Sequence, residues 1–442
     1  MSNDNLDLLE KKIISNKIEE YDIYYLESNI YETQFIQEKI ESEREVNKIN
    51  YFIRILEQKG NNTGIGLVKG DSLKDKQINR DIEKCKTLSK INNTTKYYFP
   101  GKNPYNQIIL AEENILKNPL DIKNKYCDIL LSSINNLEKT KPSFGKFRVH
   151  IQNKFLKNNN KLNLNSTKTY FFFEFALKAE SNDKLAEYWD IEYVKNSKDL
   201  ELEERMKKWA NNAKDALEAK LPHPKKDATV IFSPNLLKDA LNPVLSFHAS
   251  GEAFYDKTSS FKLEEKIADE NFTIIDDGLF EGGLNSNPWD GEGNPHQKTK
   301  LIEKGIFKNR IFDQKYSILE NIISTGNGIR TSEGSITNTI SNLIIPSGNI
   351  SLEEIISTIK EGYFIEKCSW LNPDQFTGSF GTEIRNGYYI KNGNLENPIK
   401  GGNLSGNVLD MLKNCKYISK EREYSENSYF PYIAFSNLNI SI

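Results

Sequence analysis

The sequence is short of the residues that build disulfide frameworks and cysteine-rich metal sites. It contains four cysteines and four histidines among 442 residues, and no two cysteines are spaced as C-x-x-C. Cysteines scattered in this way predict reduced thiols and a cytoplasmic location. No apolar run approaches the roughly 20 residues that a membrane-spanning helix needs. The N-terminus is acidic and lacks the basic and apolar regions of a signal peptide, so we expect no membrane partner.

The chain also lacks a large excess of charge of either sign. Its formal net charge is −3 and its isoelectric point is about 6.0. This balance gives no general electrostatic reason to bind nucleic acid, and we expect no nucleic-acid partner. A content of 37% hydrophobic and 27% charged residues is typical of a globular protein.

The order of apolar patterns predicts an α+β fold in two parts. Two prolines and a basic pair in "KLPHPKKDA", residues 220–228, are typical of a domain boundary. We predict an N-terminal mixed α/β domain over residues 1–222. A largely antiparallel β domain with a few helices is predicted over residues 223–442. In the first part the spacing predicts a hairpin around Gly60-Asn61-Asn62 and helices over 4–20, 73–89, 119–138 and 200–218.

Local signals also place turns and helices in the second part. Ser233-Pro234 and Asn242-Pro243 are both typical of helix starts, which predicts two successive helices. Ser351 and Glu354 form a capping box, and Gly362 predicts the end of that helix. The dipeptides Asn386-Gly387 and Asn392-Gly393 predict two hairpin turns.

The stretch "VLSFHASGEAFYD", residues 244–256, carries the first candidate chemistry. His248 and Glu252 lie four residues apart, which would place them on one face of a helix where they could hold a metal together. A zinc site normally takes three protein ligands, and His296 is the candidate third ligand from elsewhere. The alternative, which we favour, is a hydrogen-bonded pair inside the fold.

The stretch "NPWDGEGNPH", residues 287–296, carries the second candidate. Asp290 and Glu292 could ligate calcium or act as acid and base, but they lack the spacing of a calcium-binding loop. Asp and Gly are common in turns for backbone reasons, so a structural role is favoured. Gly326 and Gly328, in "STGNGIRT", fit no phosphate-binding pattern and indicate a tight loop.

Taken together, the second part resembles the TldD/PmbA family of peptidase-like proteins. The resemblance rests on the order and spacing of several segments over about residues 229–442. These segments are "FTIIDDG", "NPWDGEGNPH", "STGNGIR", "NLIIPSG", "FTGSFGTEIRNGYYIKNG" and "GGNLSGNVLDML". The resemblance implies an N-terminal α/β domain followed by a β-rich C-terminal domain.

The resemblance also shows where this sequence departs from the catalytic pattern of the family. TldD-type chains carry H-E-x-x-x-H, which binds zinc and supplies a general base, and a late cysteine. With Gly251 aligned to the family glycine, the three motif positions fall on Phe247, His248 and Glu252. Cys415 lies too early to match the family cysteine. The resemblance is therefore to the PmbA branch, also called TldE.

For function, the resemblance implies a subunit of a TldD–TldE-type zinc metallopeptidase complex that acts on unfolded or modified peptides. No catalytic residue, metal site or cofactor is expected in this chain, and zinc is expected in a TldD-like partner. Two alternatives stay open: a metallopeptidase in its own right, using His248, Glu252 and His296, or a homo-oligomeric peptide-binding or scaffold protein. The residues expected to serve as structural or interface motifs are Gly251, Pro288, Asp290, Glu292, Gly293, Gly326, Asn327 and Gly378.

Overall fold

A computed structural model describes residues 2–181 and 183–442 of the chain. In the first part, a short 3₁₀ turn, Ser197–Asp199, precedes the last helix. The helices and strands of this part are, in chain order, α1 (Ser2–Ser15), β1 (Tyr21–Ile36), β2 (Lys39–Lys59), β3 (Asn62–Gly70), α2 (Asp75–Ile91), β4 (Thr94–Thr95), α3 (Glu113–Lys117), α4 (Pro119–Asn135), β5 (Thr140–Asn158), β6 (Asn163–Ser181), β7 (Lys184–Val194) and α5 (Leu202–Glu218).

These strands form one antiparallel seven-stranded sheet in the order β4-β3-β2-β1-β5-β6-β7. Its strands alternate between two faces, as the pleat requires. On β2, Tyr51, Ile53 and Ile55 pack beneath α1 and α2 in one apolar cluster. The residues between them, Phe52 and Arg54, point to the opposite face, which the second half of the chain covers.

Helices α4 and α5 cover the other end of the same sheet. Phe173 and Trp209 stack with their ring centroids 4.6 Å apart in the cluster that joins α5 to β6. One face of the sheet is thus closed by helices of the first half. The opposite face is available to the second half.

The second half is built around a larger sheet. Its helices and strands are β8 (Lys225–Phe232), α6 (Pro234–Ala249), α7 (Gly251–Tyr255), β9 (Ile274–Asp277), β10 (Lys298–Glu303), β11 (Ile306–Phe307), α8 (Gln314–Glu320), β12 (Gly328–Arg330), β13 (Ile336–Asn338), β14 (Leu343–Ile344), α9 (Leu352–Thr358), β15 (Glu361–Cys368), β16 (Ser379–Lys391), β17 (Asn394–Ile399), β18 (Asn403–Asn407), α10 (Val408–Lys413), β19 (Cys415–Ser425) and β20 (Ser428–Ser441).

Five of these strands close on themselves. β8 pairs with β15, β15 with β16, β16 with β18, β18 with β20, and β20 returns to β8. Alternation along the strands divides their side chains between two apolar clusters. Phe232 and Phe435 lie in the main cluster with the buried residues of α6, whereas Ile231 and Ala434 face α9. The α+β class predicted from the sequence is confirmed, and most sheet pairings are antiparallel.

One prediction about the helices is wrong. Asn242-Pro243 does not start a second helix, because Pro243 lies inside α6. A proline there removes one main-chain hydrogen bond. The buried stripe of Leu241, Val244 and Leu245 continues through it, and the burial of that stripe holds the helix together.

Two glycines do not have the role that the sequence predicts for them. The capping box of Ser351 and Glu354 is present, but α9 ends at Thr358 and Gly362 lies in β15. A Cβ at Gly362 would lie 2.6 Å from the carbonyl oxygen of Thr229, so close strand packing requires glycine there. The Asn386-Gly387 dipeptide marks a register shift within β16 rather than a turn, whereas Asn392-Gly393 does connect β16 to β17.

The predicted division at 222/223 falls between α5, which ends at Glu218, and β8, which begins at Lys225. The division into two domains stays a prediction. In the described part of the chain, no helix is both long enough and apolar enough to cross a bilayer.

The closed ring of strands generates a stability prediction. Phe435 is fully buried against Phe232 and Phe272, with ring centroids 5.6 and 6.2 Å away. Phe435→Ala should lower the free energy of unfolding by about 3–5 kcal/mol, because it leaves a cavity in the core. Chemical denaturation measures this loss. The control Ile323→Ala, at a side chain that is 87% exposed, should change stability by less than about 0.5 kcal/mol.

Candidate functional site

The first candidate site lies at the corner between α6 and α7. The two helices are separate because Ser250 is extended, with φ −71° and ψ 147°, and both ends α6 and caps α7. Its hydroxyl accepts a hydrogen bond from the Ala253 amide at 3.0 Å. The prediction that His248 and Glu252 share one face of one helix is therefore wrong. The periodicity argument fails because a capping serine interrupts the helix between them.

His248 is fully buried, and the chain itself occupies both of its ring nitrogens. Nδ1 accepts a hydrogen bond from the Ser260 amide at 3.1 Å. Nε2 lies 3.1 Å from the Phe376 carbonyl oxygen and donates to it in the tautomer that this pattern requires. Burial lowers the pKa of His248, which keeps the ring neutral. Its role is to tie the end of α6 to two loops.

Glu252 lies on the surface rather than beside His248. Its carboxylate accepts a hydrogen bond from the hydroxyl of Tyr316 at 2.9 Å, which joins α7 to α8. Gly251, next to it, packs so closely that a Cβ would lie 2.3 Å from the ring of Phe312. The local contacts of this corner are structural.

The other two candidate donors also have their own surroundings. The Nδ1 atom of His296 lies 3.1 Å from the carbonyl oxygen of Gly278, and burial lowers the pKa of this histidine to about 4. Cys415 is buried, and its burial raises the pKa of the thiol. Among residues 2–181 and 183–442, no group of three His, Cys, Asp or Glu side chains is arranged to hold a metal ion. The residues present at this corner do not fit a zinc centre.

The second candidate, the "PWDGEG" turn, is organised by Asp290. One carboxylate oxygen accepts hydrogen bonds from the amides of Glu292, Gly293 and Asn294, each at 2.9 Å. The other oxygen accepts from the amide of Gly328 at 2.9 Å. A single buried side chain thus folds the turn and fixes it to β12. Pro288 contributes its carbonyl oxygen, which accepts from the His296 amide at 3.2 Å.

Glu292 connects this turn to the first half of the chain. Its carboxylate accepts hydrogen bonds from the hydroxyl of Tyr97 at 2.5 Å and from the guanidinium of Arg54 at 3.4 Å. Its second oxygen accepts from the Gln314 amide at the start of α8, at 2.9 Å. Arg54 also forms a bidentate pair with Asp22, which lies directly opposite it on β1.

A second arginine completes the group from the other side. Arg330, whose side chain is 2% exposed, donates to Asp22 at 2.9 Å and to the carbonyl oxygen of Gly291 at 2.8 Å. The buried quartet, defined here as Asp22, Arg54, Glu292 and Arg330, is neutral when all four are ionised. It joins the first sheet to the "PWDGEG" turn and to β12 with matched charge.

Two further carboxyls, those of Asp290 and Asp313, lie close to Glu292. Burial and the charge of Glu292 raise the pKa of Asp290 to about 7 and that of Asp313 to about 8. Asp313 caps α8 by accepting from the Tyr316 amide at 2.8 Å. Near neutral pH, Asp290 and Asp313 therefore hold protons that free aspartates would have released.

The remaining motif residues hold loops in place. Asn327 donates to Asp276 at 2.6 Å, and burial raises the pKa of Asp276 to about 6. Gly326 and Gly378 adopt φ of +73° and +76°, and Gly293 adopts +100°, where a side chain would be strained. These positions form close loops around the second sheet.

Comparison with known proteins then identifies the family. Residues 225–442 match the model of the PmbA/TldA metallopeptidase C-terminal domain. A metalloprotease of Methanocaldococcus jannaschii is 31% identical over 217 residues, which are 49% of this chain and 48% of that protein. A TldD homologue of Buchnera aphidicola, described as a metalloprotease, is 28% identical over 250 residues, which are 54% of this chain and 50% of that protein. The chain belongs to the TldD/PmbA family.

The sequence matches cover about half the length of these two relatives. The comparison with solved structures extends over the whole chain. The crystal structure of TldE from Thermococcus kodakarensis superimposes with a TM-score of 0.86 at 21% identity and covers 100% of both chains. At this identity, the likeness is one of fold.

The α6–α7 corner contains the three positions that the sequence analysis aligned with the TldD motif. The three positions aligned with the family motif, Phe247, His248 and Glu252, here form an aromatic contact, a buried hydrogen-bonded ring and a surface carboxylate. The Phe247 ring lies 4.6 Å from that of Phe376. In this family member, the corner is packed with apolar and hydrogen-bonded contacts.

Sequence reasoning missed the first-half members of the quartet. Asp22 and Arg54 lie in "YDIYYL" and "YFIRIL", where each charge is flanked by apolar strand residues. A charged side chain inside such a strand is either buried with a partner or lies on a polar face. The two stretches therefore indicate that Asp22 and Arg54 need partners. The partner of each charge, however, lies in another segment and could not be read from these stretches.

The raised pKa values predict a pH dependence of stability. The native state holds a proton on Asp313 up to about pH 8, whereas the unfolded chain releases it near pH 4. The native chain therefore loses stability relative to Asp313→Asn as pH rises from 5 to 8, by up to about 1.4 kcal/mol per pH unit. Asparagine also caps helices well, so the variant preserves α8.

Denaturation of both proteins across this pH range measures the difference, which should level off above about pH 8. Glu333→Gln, at an exposed ion pair with Lys69, should follow the profile of the unchanged chain. A constant difference between the native chain and Asp313→Asn at all pH values would show that Asp313 is ionised throughout.

Proposed function

We propose that the chain is a TldE-like, zinc-free subunit of a TldD–TldE-type metallopeptidase complex that acts on unfolded or modified peptides in the cytoplasm. A TldD-like partner supplies the zinc and the general base. This chain supplies a subunit interface and part of the wall that encloses the peptide.

The observation that carries the proposal is the hydrogen bonding of His248. Zinc requires a ring nitrogen with a free lone pair. In His248 the lone pair of Nδ1 accepts from the Ser260 amide, and Nε2 holds the proton donated to Phe376. Binding zinc would break one of these bonds and leave a buried backbone group without a partner.

The backbone supports the same conclusion. The break at Ser250 directs Glu252 toward Tyr316 and the surface, away from the buried His248. Substitution of the motif residues and the path of the chain both oppose a metal site. The family membership supports a role in peptide hydrolysis, and these contacts support the proposal that a partner carries the catalytic site.

Metal content provides the first test. We expect chain purified without a histidine tag to contain less than about a tenth of an equivalent of zinc, because a stable site needs three or four ligands. Elemental mass spectrometry measures this, and His248→Ala and Glu252→Ala should give the same value. A zinc content near one equivalent that is lost in both variants would instead indicate a metallopeptidase with an altered zinc site.

Activity with a partner provides the second test. The isolated chain should not cleave an unstructured peptide. When it is mixed with a TldD-like chain that retains H-E-x-x-x-H, cleavage should appear or increase and should disappear on addition of a zinc chelator. His248→Ala should leave this activity unchanged once its folding has been verified. Cleavage that is no faster in the mixture than with the TldD-like chain alone would contradict the subunit role and favour a separate binding or scaffold protein.

A further inference from the structure

A large cleft lies between the two halves of the chain, away from the α6–α7 corner. Its volume is about 1060 Å³. The first half contributes the end of β7 and the start of α5, and the second half contributes the start of α6, β15 and the β19–β20 turn. This volume is at the top of the ~300–1,000 Å³ range of small-molecule sites, so the cleft has room for a peptide segment.

The lining of the cleft has more negative than positive charge. Nine acidic and five basic side chains line it. Lys208 lies between two carboxylates, 3.7 Å from Glu366 and 3.5 Å from Glu423. Lys238 likewise lies 3.5 Å from Asp239 and 3.4 Å from Glu426. Each of these lysines is shared by two carboxylates, so the side chains of the cleft retain a net negative charge.

Two acceptor atoms in the lining also lack donors. The side chain of Glu366 is 10% exposed, and its Oε2 atom accepts no hydrogen bond within 3.5 Å from any residue that the structure describes. Burial raises the pKa of Glu366, and the charge of Lys208 and the nearby Asn212 amide offset this only in part. The Oδ1 atom of Asn242, another lining residue, is buried without a donor as well. Buried acceptors are normally paired, so these two atoms favour a ligand with N–H groups.

A second carboxylate in the lining is also buried. Glu192 is 6% exposed and pairs with Arg205 at 3.4 Å. Burial nevertheless raises the pKa of Glu192 to about 7, because the charges of Arg205 and Lys238 do not offset the loss of water. An additional cation would stabilise its ionised form.

Aromatic side chains border the same opening. The indole of Trp370 is 81% exposed and that of Trp189 is 42% exposed. Lys367 already lies over the Trp189 ring, 5.0 Å from its centroid. Trp370 has no such partner among the described residues. An exposed indole beside an acidic cleft is suited to a cation–π contact.

We propose that this cleft binds a basic peptide segment, placing an arginine or lysine side chain beside Glu366 and Glu192 and a further N–H donor at Asn242. A guanidinium supplies the positive charge and the N–H donors that are too few in the lining to match its acidic groups. The choice of a peptide as the carrier rests on the proposed function. The charge preference rests on the cleft alone. The chain would thereby select basic segments of an unfolded substrate without cleaving them.

The test uses the isolated full-length chain and a blocked hexapeptide that contains two arginines. Matched peptides replace both arginines by glutamine or by glutamate. Titration calorimetry at low ionic strength should show the arginine peptide binding at least about tenfold more tightly than the glutamine peptide, with no binding of the glutamate peptide. Added salt should weaken the binding, because part of the attraction is between exposed charges.

Variants locate the binding within the molecule. Glu366→Gln and Glu192→Gln preserve side-chain shape and should each weaken binding of the arginine peptide about fivefold or more, since each removes a charged acceptor. Glu333→Gln, an exposed acid outside the cleft, should bind as the unchanged chain does. Trp370→Ala changes an exposed residue that cannot be needed for folding, so it tests the cleft even if the glutamate variants fold poorly.

Three outcomes would overturn the proposal. The first is equal binding of the arginine and glutamine peptides, and the second is unchanged binding in all folded cleft variants. The third is loss of peptide binding when the chain associates with itself, seen by sedimentation at increasing concentration, which would make a second chain the occupant. Because no catalytic partner is present and cleavage is not measured, failure here leaves the subunit role untouched.

Discussion

Three buried ion pairs, Asp22–Arg54, Arg54–Glu292 and Asp22–Arg330, determine how the two halves of the molecule fit together. Burying four charges has a large desolvation cost, and a well-packed apolar group of the same volume would stabilise the protein as well or better. Removing any one member is different, because it leaves an unmatched charge in a medium of low polarity. The quartet therefore contributes mainly to the specificity of folding. Its charges are matched in one arrangement of the two halves and unmatched in others. Trp289 packs beside it against Tyr24 and Phe52, and adds the apolar area that the charged group does not provide.

Charge has the opposite character in the cleft between the same two halves. The quartet matches each negative group with a positive one, whereas Lys208 and Lys238 are each shared by two carboxylates. A protein can maintain such a surplus only where water or a ligand reaches it. The α6–α7 corner differs again, since its one histidine is neutral and fully hydrogen-bonded. Charge is thus matched in the quartet, in excess in the cleft and absent from the histidine of the α6–α7 corner.

Sequence reasoning succeeded where one segment determines its own structure. The Gly60-Asn61-Asn62 turn, the capping box at Ser351 and the α+β class all depend on local or repeated patterns, and the order of segments was enough to indicate the family. It failed where a local signal competes with tertiary packing. Pro243 lies within a helix because the apolar stripe around it is buried, and Gly362 lies in a strand because β8 approaches too closely for a side chain. The separation of His248 from Glu252 depends on the extended conformation of one serine. The cleft could not be predicted at all, because its lining comes from distant segments that only the folded chain brings together.

The connectivity of the quartet has a consequence for the order in which the molecule matures. Asp22 and Arg54 are separated by 32 residues and neutralise each other within the first sheet, whereas Arg54 and Glu292 are separated by 238 residues. During synthesis from the N-terminus, the first half can therefore bury its ion pair before the second half exists. Glu292, in contrast, reaches Tyr97 and Arg54 only when the two halves dock. Docking is then a late kinetic step, and a chain stalled before it exposes the acidic turn and the apolar face of the first sheet to chaperones and proteases.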